Sequence, residues 1–404
     1  MTDWEQATLA AVLRREGGSI KTGPFGTTLK ANEYSTVGVP VISVGEVGYG
    51  SFRIRVETPR VDKLVTERLP EYVLQAGDIV FGRKGAVDRS AWVAESQAGW
   101  FLGSDGIRLR LPHAVSSRFI SYQLQMSTTR EWLLQHASGS TMLSLNQGIL
   151  GRVPVTLPPL PEQRAIAEVL GALDDKIAAN IGLADTLSRR ASAEYVRATK
   201  STESTGLLSD LVTTQYGLTA SANDLPGPKF LRVTDINKKP WIEWDRTPNC
   251  TVSQSDLDKY RVGYGDILVA RMADPGKAAF VDDEAREAVF ASYLVRLRAH
   301  NPLNALYIYY FLRSNEYQRY ADGAMQGSVQ KNMNAKVIVA TNISLPTSQK
   351  IARFNTTVTA LRASMCAALK ENRTLAATRD ALLPQLMSGA LRIKDAEKLL
   401  EEVV

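Results

Sequence analysis

A long stretch of this chain occurs twice, at one fixed spacing. The motif Gly77-Asp78-Ile79 returns as Gly265-Asp266-Ile267, 188 positions later. The same offset joins further pairs of identical residues: Arg83 and Arg271, Ser104 and Ser292, Arg108 and Arg296, Arg110 and Arg298, Gly139 and Gly327, Ser140 and Ser328, Asn146 and Asn334, Leu157 and Leu345, Pro158 and Pro346. Solenoid repeats have periods of about 20–50 residues. The much longer spacing therefore predicts a duplicated domain, and two similar domains suggest two similar ligands.

The composition predicts a soluble globular protein of two or three domains. The chain has 404 residues, of which 44% are hydrophobic and 22% charged. No apolar run approaches the ~18 residues of a membrane span, and the start at Met1 lacks the features of a secretory signal. Only Cys250 and Cys366 occur, which disfavours a disulfide framework and predicts a cytoplasmic protein. The net charge of +6 permits binding to a polyanion without requiring it.

Two long stretches, residues 162–198 and 349–382, have the pattern of amphipathic helices. Their apolar residues recur every three or four positions, which is the period of one helical face. They are Ile166, Leu170, Leu173, Ile177, Ile181, Ala184 and Leu187 in the first stretch, and Phe354, Val358, Leu361, Met365, Leu369 and Leu375 in the second. Isolated helices of this length would expose these stripes to water. We therefore expect the two helices to pack on each other as a coiled-coil-like pair.

The remaining sequence predicts an α+β fold with two similar mixed domains in tandem. Short apolar runs bounded by turn residues predict strands, and periodic apolar runs predict helices. The expected strands are residues 39–44, 79–81, 230–233 and 267–269, and the expected helices are residues 118–124 and 306–312. The polar stretch 200–206 predicts a linker. The expected divisions are residues 1–158 (first domain), 159–199 (first long helix), 200–346 (second domain), 347–382 (second long helix) and 383–404 (C-terminal tail).

The residues offer no recognisable catalytic site. The sequence contains no P-loop and no Asn-Pro-Pro-aromatic motif of an amino-methyltransferase. The three histidines, His113, His136 and His300, are scattered and have no cysteine or carboxylate partners at metal-ligand spacing. We therefore expect neither catalytic residues nor a metal site in this chain.

A basic loop follows the repeated Gly-Asp-Ile motif in each copy. The candidate binding residues are Arg83, Lys84 and Arg89 in the first copy, and Arg271 and Lys277 in the second. Arginine suits bidentate recognition of guanine or phosphate, and the neighbouring glycines allow a ligand to approach the backbone. The alternative is that both arginines form salt bridges within their own domain and only shape the loop.

Polar stretches near the end of each copy form a second pair of candidates for contact with nucleic acid. They comprise Ser138, Ser140 and Thr141 in the first copy, and Gln326, Ser328, Gln330 and Lys331 in the second. Hydroxyl and amide groups of this kind bind phosphates and base edges. Capping of the following helix is the alternative role.

One motif resembles a known family. The run Leu157-Pro158-Pro159-Leu160-Pro161-Glu162-Gln163-Arg164 leads into the first amphipathic helix and is similar to the specificity subunit of type I restriction-modification systems. The Gly-Asp-Ile motif in each half and the Leu382-Leu383-Pro384-Gln385-Leu386-Met387-Ser388-Gly389 run resemble that family too. The resemblance covers essentially the whole chain. The second copy departs from the motif, because it continues as Leu345-Pro346-Thr347-Ser348.

The resemblance implies a non-catalytic subunit that reads double-stranded DNA. Each half would be a target recognition domain for one part of a bipartite, asymmetric site, and an antiparallel helix pair would separate the two domains. Two methyltransferase subunits would dock on the chain and carry S-adenosylmethionine, and restriction/translocase subunits would carry ATP and Mg. The implied docking and spacer residues are Glu162, Gln163, Arg164, Ile166, Leu170, Leu173, Ile177, Phe354, Val358, Leu361 and Met365.

Two other functions are compatible with these patterns. One is the specificity subunit of a type IIB-like system, which cleaves on both sides of its site and differs in its partner. The other is a coiled-coil scaffold whose domains bind proteins instead of DNA. The basic loops favour DNA over the scaffold.

Overall fold

The computed structural model describes residues 4–15, 17–200, 202, 204–282, 287–325 and 332–401. The chain divides into two compact units. Unit 1 comprises Met1–Ile177 and Arg373–Val404, and unit 2 comprises Ala178–Asn372. Each unit therefore contains one globular domain together with part of each long helix. None of the described helices combines the length and the apolar character needed to cross a bilayer.

The first copy contains ten strands and six helices among the described residues. Its strands are β1 (Glu5–Thr8), β2 (Ser19–Thr22), β3 (Tyr34–Ser35), β4 (Val39–Ile42), β5 (Arg60–Val61), β6 (Ile79–Gly82), β7 (Ser90–Trp92), β8 (Phe101–Leu102), β9 (Gly106–Arg110) and β10 (Pro154–Leu157). Its helices are α1 (Leu9–Leu13), α2 (Lys63–Arg68), α3 (Ser117–Gln125), α4 (Ser127–His136), α5 (Gln147–Gly151) and the long α6 (Leu160–Thr199).

The second copy has a similar order of elements, although α1 and α7 have no α-helical counterparts at the equivalent positions of the other copy. Its strands are β11 (Thr205–Leu207), β12 (Val212–Tyr216), β13 (Ala222–Asn223), β14 (Lys229–Leu231), β15 (Asn249–Cys250), β16 (Ile267–Ala270), β17 (Ala278–Phe280), β18 (Ala288–Phe290), β19 (Leu294–Ala299) and β20 (Asn342–Ser344). Its helices are α7 (Val233–Ile236), α8 (Gln254–Tyr260), α9 (Ala305–Leu312), α10 (Asn315–Ala324), α11 (Ala335–Val339) and the long α12 (Ser348–Met387), followed by α13 (Ile393–Glu401).

The two copies have the same sheet topology. The strand order β2-β9-β6-β7 in the first copy corresponds to β12-β19-β16-β17 in the second, and β3-β5-β4-β8 corresponds to β13-β15-β14-β18. A two-stranded sheet, β1-β10 or β11-β20, completes each copy. The long helices α6 and α12 each span 40 residues and start 188 positions apart. The structure thus confirms the predicted duplication and the α+β class.

The repeated Gly-Asp and Arg-Leu-Arg residues build the scaffold of each domain. Gly77 and Gly265 both adopt a φ of 86°, a left-handed conformation that favours glycine. The following Asp78 is buried and accepts hydrogen bonds from the backbone amide of Gln75 at 2.8 Å and from Arg110 at 2.7 Å. Asp266 accepts the equivalent bonds, including one from Arg298 at 2.7 Å. These repeated residues therefore fix a turn and an internal ion pair.

The apolar stripe of α6 and its counterpart in α12 pack in two ways. In unit 1, Ile166, Leu170 and Leu173 are buried with Phe119 and with Leu375 of α12, and Ile177 packs against the same core. The domain core and the second helix thus share one face of α6. The expected packing of one helix on the other is therefore only part of the arrangement, because the domain core also covers the apolar face of α6.

In unit 2 the stripe of α12 has the same double role. Phe354 and Val358 lie in the domain core beside Tyr195 of α6, and Leu361 packs against this core. Met365 is buried farther along α12 beside Ala184. The predicted stripe is therefore confirmed as the buried face of both long helices except at Ile181, which is 37% exposed.

Two expected boundaries were wrong. The stretch 200–206 was expected to be a linker, yet Thr205–Leu207 forms β11 and pairs with β20. The small polar residues of this stretch lack the apolar pattern that predicts a strand. Backbone pairing does not need that pattern. The second long helix was expected to end at residue 382, but α12 continues to Met387 and includes Pro384. Gly389, with a φ of 70°, follows the end of the helix.

Candidate nucleic-acid interface

The two basic loops share several backbone hydrogen bonds. We call residues 83–89 loop 1 and residues 271–277 loop 2. At the base of loop 1, the Gly82 amide donates to the carbonyl of Arg89 at 3.2 Å, and in loop 2 the Ala270 amide donates to the carbonyl of Lys277 at 2.8 Å. Within the loops, the amide of Ala86 donates to Lys84 at 2.9 Å, as Asp274 does to Met272 at 2.8 Å. Two loops of different sequence therefore have a similar backbone, which differs at the sixth position, where Gly276 has a φ of 85° and Asp88 does not have a positive φ.

The repeated arginine at the start of each loop is held by two backbone hydrogen bonds. The amide of Arg83 donates to Asp105 and its carbonyl accepts from Leu145, both at 2.8 Å. Arg271 makes the equivalent bonds with Tyr293 and Met333, both at 2.9 Å. Each domain thus fixes the backbone position of its arginine, whereas the surroundings of the arginine side chain differ between the domains.

The third position of both loops lies in the left-handed region. Gly85 has a φ of 72° in loop 1, and the equivalent Ala273 has a φ of 63° in loop 2. Alanine is strained in this conformation, because its Cβ approaches the following carbonyl. Such strain persists only where the surrounding structure determines the conformation, and it concentrates at functional sites. The shared loop shape is therefore kept in the second copy at a cost in free energy.

The guanidinium groups of both arginines contact aromatic rings and neutral oxygens. Arg83 donates to the carbonyl of Ser104 at 3.4 Å and lies 5.8 Å from the ring centroid of Phe25. Arg271 donates to Asn332 Oδ1 at 3.3 Å and lies 5.0 Å from the ring of Tyr216. Within the described residues, neither group has a carboxylate at ion-pair distance. The positive charge of each arginine therefore remains available to an anionic ligand.

The second predicted patch of the first copy lies against loop 1. Ser138 and Ser144 exchange backbone hydrogen bonds of 2.9 and 2.7 Å, which places the exposed Ser140 and Thr141 in a hairpin turn. The amide of Gly85 donates to Leu143 of this hairpin at 2.8 Å. The structure therefore brings the two candidate stretches of the first copy together on one surface.

The helix cap that follows this hairpin comes from another residue. Asn146 accepts a hydrogen bond from the Ile149 amide at 2.8 Å, and the repeated Asn334 accepts one from Val337 at 2.9 Å. The alternative that Ser138, Ser140 or Thr141 caps α5 is therefore wrong. In the second copy, the candidates Gln326, Ser328, Gln330 and Lys331 lie outside the described residues.

The other basic candidates also surround the loops. Lys84 is exposed and pairs with Asp105 at 3.3 Å. Arg89 lies 5.5 Å from the ring of Tyr49, and Lys277 donates to Gln318 Oε1 at 3.0 Å. Lysine and arginine in such positions can neutralise phosphates. Five of the six predicted basic residues therefore belong to the two loops, and the sixth, Lys331, lies outside the described residues.

Exposed aromatic rings accompany these basic residues, and sequence reasoning missed them. Phe25 is 62% exposed beside Arg83, and Tyr49 is 43% exposed beside Arg89. Both rings stand next to glycine, in Pro24-Phe25-Gly26 and Gly48-Tyr49-Gly50. An aromatic residue flanked by glycine was the available signal, since such short loops seldom bury a ring.

The carboxylate of loop 1 is held by partners outside the loop. Asp88 Oδ2 accepts hydrogen bonds from Arg130 of α4 at 2.8 Å and from the Tyr49 hydroxyl at 2.9 Å. Burial acts to raise the pKa of Asp88, but the hydrogen bonds from Arg130 and Tyr49 outweigh burial and hold that pKa below its ordinary value. The carboxylate is therefore ionised and paired near neutral pH.

The predicted docking residues at the start of α6 differ in their exposure. Gln163 is buried, accepts a hydrogen bond from the Ser116 amide at 3.0 Å and donates to the Pro158 carbonyl at 2.8 Å. It thus joins the beginning of α6 to α3 within unit 1. Glu162 is half-buried and Arg164 is exposed. Of the three, Arg164 is therefore the most accessible to a partner.

Comparisons with known proteins match both copies. The family model of the type I restriction modification DNA specificity domain matches residues 4–189 and again residues 209–370. The chain is similar to the S subunit of a type I restriction-modification system from M. genitalium, with 16% identity, a TM-score of 0.55, and 95% of this chain and 96% of that chain covered. It is also similar to the HsdS subunit from Thermoanaerobacter tengcongensis, with 14% identity, a TM-score of 0.35, and 96% and 97% covered. The first of these structures supports the fold.

Proposed function

Because this chain belongs to the type I restriction-modification DNA specificity family, we propose that each of its domains reads one half of a bipartite, asymmetric DNA site. The observation that carries this proposal is the pair of loops with equivalent attachment to their domains, similar backbones and different side chains. Loops with similar backbones present their side chains to equivalent parts of a ligand. Different side chains on those loops then select different base sequences, which makes the site asymmetric.

Arg83 and Arg271 are the proposed central contacts of the two half-sites. Arginine binds guanine O6 and N7 in the major groove through two parallel hydrogen bonds, and it binds phosphate in the same bidentate way. Lys84, Arg89 and Lys277 would neutralise nearby phosphates, which position a protein on DNA without specifying sequence. The hydroxyl groups of Ser140 and Thr141 extend this surface in the first domain.

The chemistry of restriction and modification would come from other subunits. As a specificity subunit, the chain recognises DNA and is not itself the enzyme. We propose that two methyltransferase subunits bind along the long helices and domains and supply S-adenosylmethionine, and that restriction/translocase subunits add ATP- and Mg-dependent cleavage in the cytoplasm. The buried stripes of α6 and α12 would fix the distance between the two half-sites.

Methylation sequencing tests the proposal. The chain would be expressed with its methyltransferase partner, and all methylated positions in the host DNA would be mapped. We expect one motif with two specified segments around an unspecified gap. Purified chain with S-adenosylmethionine but no partner is the control and should methylate nothing. A continuous motif, or methylation by the chain alone, would contradict the proposal.

A further inference from the structure

A helix side chain reaches each loop at the same position. In unit 1, Arg130 of α4 contacts Asp88, and in unit 2, Gln318 of α10 contacts Gly276. Both members of the second pair lie 188 positions after those of the first. The contact is therefore part of the duplicated arrangement, although its chemistry differs completely between the copies.

In unit 1 the contact is an ion pair supported by an aromatic ring. Arg130 donates to Asp88 Oδ2 from Nη2 at 2.8 Å and from Nε at 3.3 Å. Its guanidinium lies 4.1 Å from the ring centroid of Tyr49, whose hydroxyl donates to the same oxygen. The Asp88 side chain is only 12% exposed. Loop 1 is thus held to α4 by charge.

In unit 2 the contact is a hydrogen bond to the backbone. Gln318 Nε2 donates to the Gly276 carbonyl at 3.2 Å, and Lys277 Nζ donates to Gln318 Oε1 at 3.0 Å. A side chain at position 276 is disfavoured, because Gly276 has a φ of 85° and its Cβ would lie 2.8 Å from the Cβ of Ala321. No carboxylate fits there, so the helix binds the carbonyl.

We propose that Arg130 and Gln318 are positioning residues for DNA recognition, which orient loop 1 and loop 2 without contacting bases themselves. Contacts retained at one position with exchanged chemistry indicate that the position of the loop matters more than the identity of the bond. This inference rests on the proposed function, because it assumes that the loops read DNA. Each residue should then affect only the half-site of its own domain.

The test compares Arg130→Ala and Gln318→Ala in the complex with the methyltransferase partner. For each variant, affinity is measured for the cognate site and for sites with one base pair changed in either half. We expect Arg130→Ala to reduce discrimination in the first half by about tenfold, the scale of one lost charged hydrogen bond. Discrimination in the second half should be unchanged, which also shows that the chain is folded. Gln318→Ala should show the reverse pattern, with a smaller loss.

Three further variants separate positioning from other roles. Arg130→Lys keeps the charge and should restore most of the discrimination, and hydrogen exchange of the loop 1 amides should be faster in Arg130→Ala than in Arg130→Lys. The exposed neighbours Glu131 and Arg319, changed to alanine, are the matched controls and should behave like the parent. Equal weakening of all DNA sequences by Arg130→Ala, with unchanged loop exchange, would identify a phosphate contact and overturn the inference.

The failure of this inference can be distinguished from failure of the proposed function. If Arg83→Ala impairs the first half-site but Arg130→Ala does not, the loop reads DNA and the positioning role is wrong. If Arg83→Ala has no effect on either half, the loop does not read DNA and the proposed function itself fails.

Discussion

Loop 1 and loop 2 have similar backbone conformations except at Asp88 and Gly276, but only their first residue is the same. Arg83 and Arg271 begin the two loops, and every later position differs, from Lys84 opposite Met272 to Arg89 opposite Lys277. Several of the backbone hydrogen bonds that hold the loops are nonetheless equivalent. The residues that are identical in the two copies therefore maintain the backbone of the loops, whereas the other side chains on that backbone differ. We therefore expect the repeated arginine to supply a DNA contact common to both domains, and the divergent positions to select the different base sequences.

The attachment of each domain to its long helix shows the same contrast. In unit 1 the Tyr122 hydroxyl donates to Asp174 of α6 at 2.6 Å. In unit 2 the equivalent Tyr310 hydroxyl accepts from Arg362 of α12 at 3.2 Å. The repeated tyrosine therefore meets opposite charges at equivalent helix positions. The position of the contact is retained, whereas its polarity is reversed.

The largest expected difference between the units concerns this contact. Arg362 is buried, donates to Asp282 at 2.8 Å and would leave that carboxylate unpaired if it were removed. Arg362→Leu should lower the free energy of unfolding of unit 2 by about 3–5 kcal/mol. Asp174→Asn is the matched variant in unit 1 and should cost no more than about 1 kcal/mol, because Asp174 is 31% exposed in its ion pair with Arg379.

Urea unfolding followed by hydrogen exchange in each unit measures both effects. The parent chain provides the reference for each unit separately. Similar losses in the two variants would show that the buried and the partly exposed contacts are energetically alike, contrary to the comparison.

A smaller difference is expected from the left-handed position of the loops. Gly85→Ala should destabilise unit 1 by about 1 kcal/mol, because alanine is strained at this φ although the space around it is open. Ala273→Gly should relieve the same strain and stabilise unit 2 by a smaller amount, since glycine gains entropy in the unfolded chain. Gly26→Ala, at an open position with ordinary φ, is the control and should be neutral or slightly stabilising. Local hydrogen exchange would measure the three changes, and effects of equal sign at 85 and 273 would refute the shared conformation.

The smallest expected difference is in the response to acid. Folding lowers the pKa of Asp88, so its contribution to stability is complete above the unfolded value of about 3.8 and is lost as the pH falls through the folded value. Loop 2 has Gly276 at this position. We therefore expect amides of loop 1 to lose protection before those of loop 2 below about pH 3.8. Asp88→Asn should remove this pH dependence, and its persistence in that variant would assign it to another group.

The sequence predicted the duplicated fold better than the surroundings of the candidate binding residues. The offset between Gly77 and Gly265 revealed the duplication, and the three-to-four residue period of Ile166, Leu170 and Leu173 revealed the buried face of α6. Both signals can be read from the sequence, because the turn requires glycine and the helix requires an apolar face. The strand Thr205–Leu207 was missed because its pairing with β20 lies in the backbone.

The surroundings of the arginines could not be predicted in the same way. Phe25, Tyr216 and Arg130 are distant in sequence from the residues they contact, and the copies use different positions to make similar contacts. No local pattern records such pairs. The ion pair between Arg130 and Asp88, and the contact of Gln318 with Gly276 that replaces it, depend on how the chain folds in space.

The central claim is that each domain recognises its own half-site through an equivalent loop. The most direct test of this claim is the DNA specificity of Arg83→Ala and Arg271→Ala. Each variant would be assembled with the methyltransferase partner, and its affinity would be measured for sites changed one base pair at a time. We predict that each variant loses about 1–3 kcal/mol of discrimination in a different half of the site and keeps the other half intact. Equal effects of both variants on both halves, or unchanged discrimination in both, would contradict the assignment of one loop to each half-site.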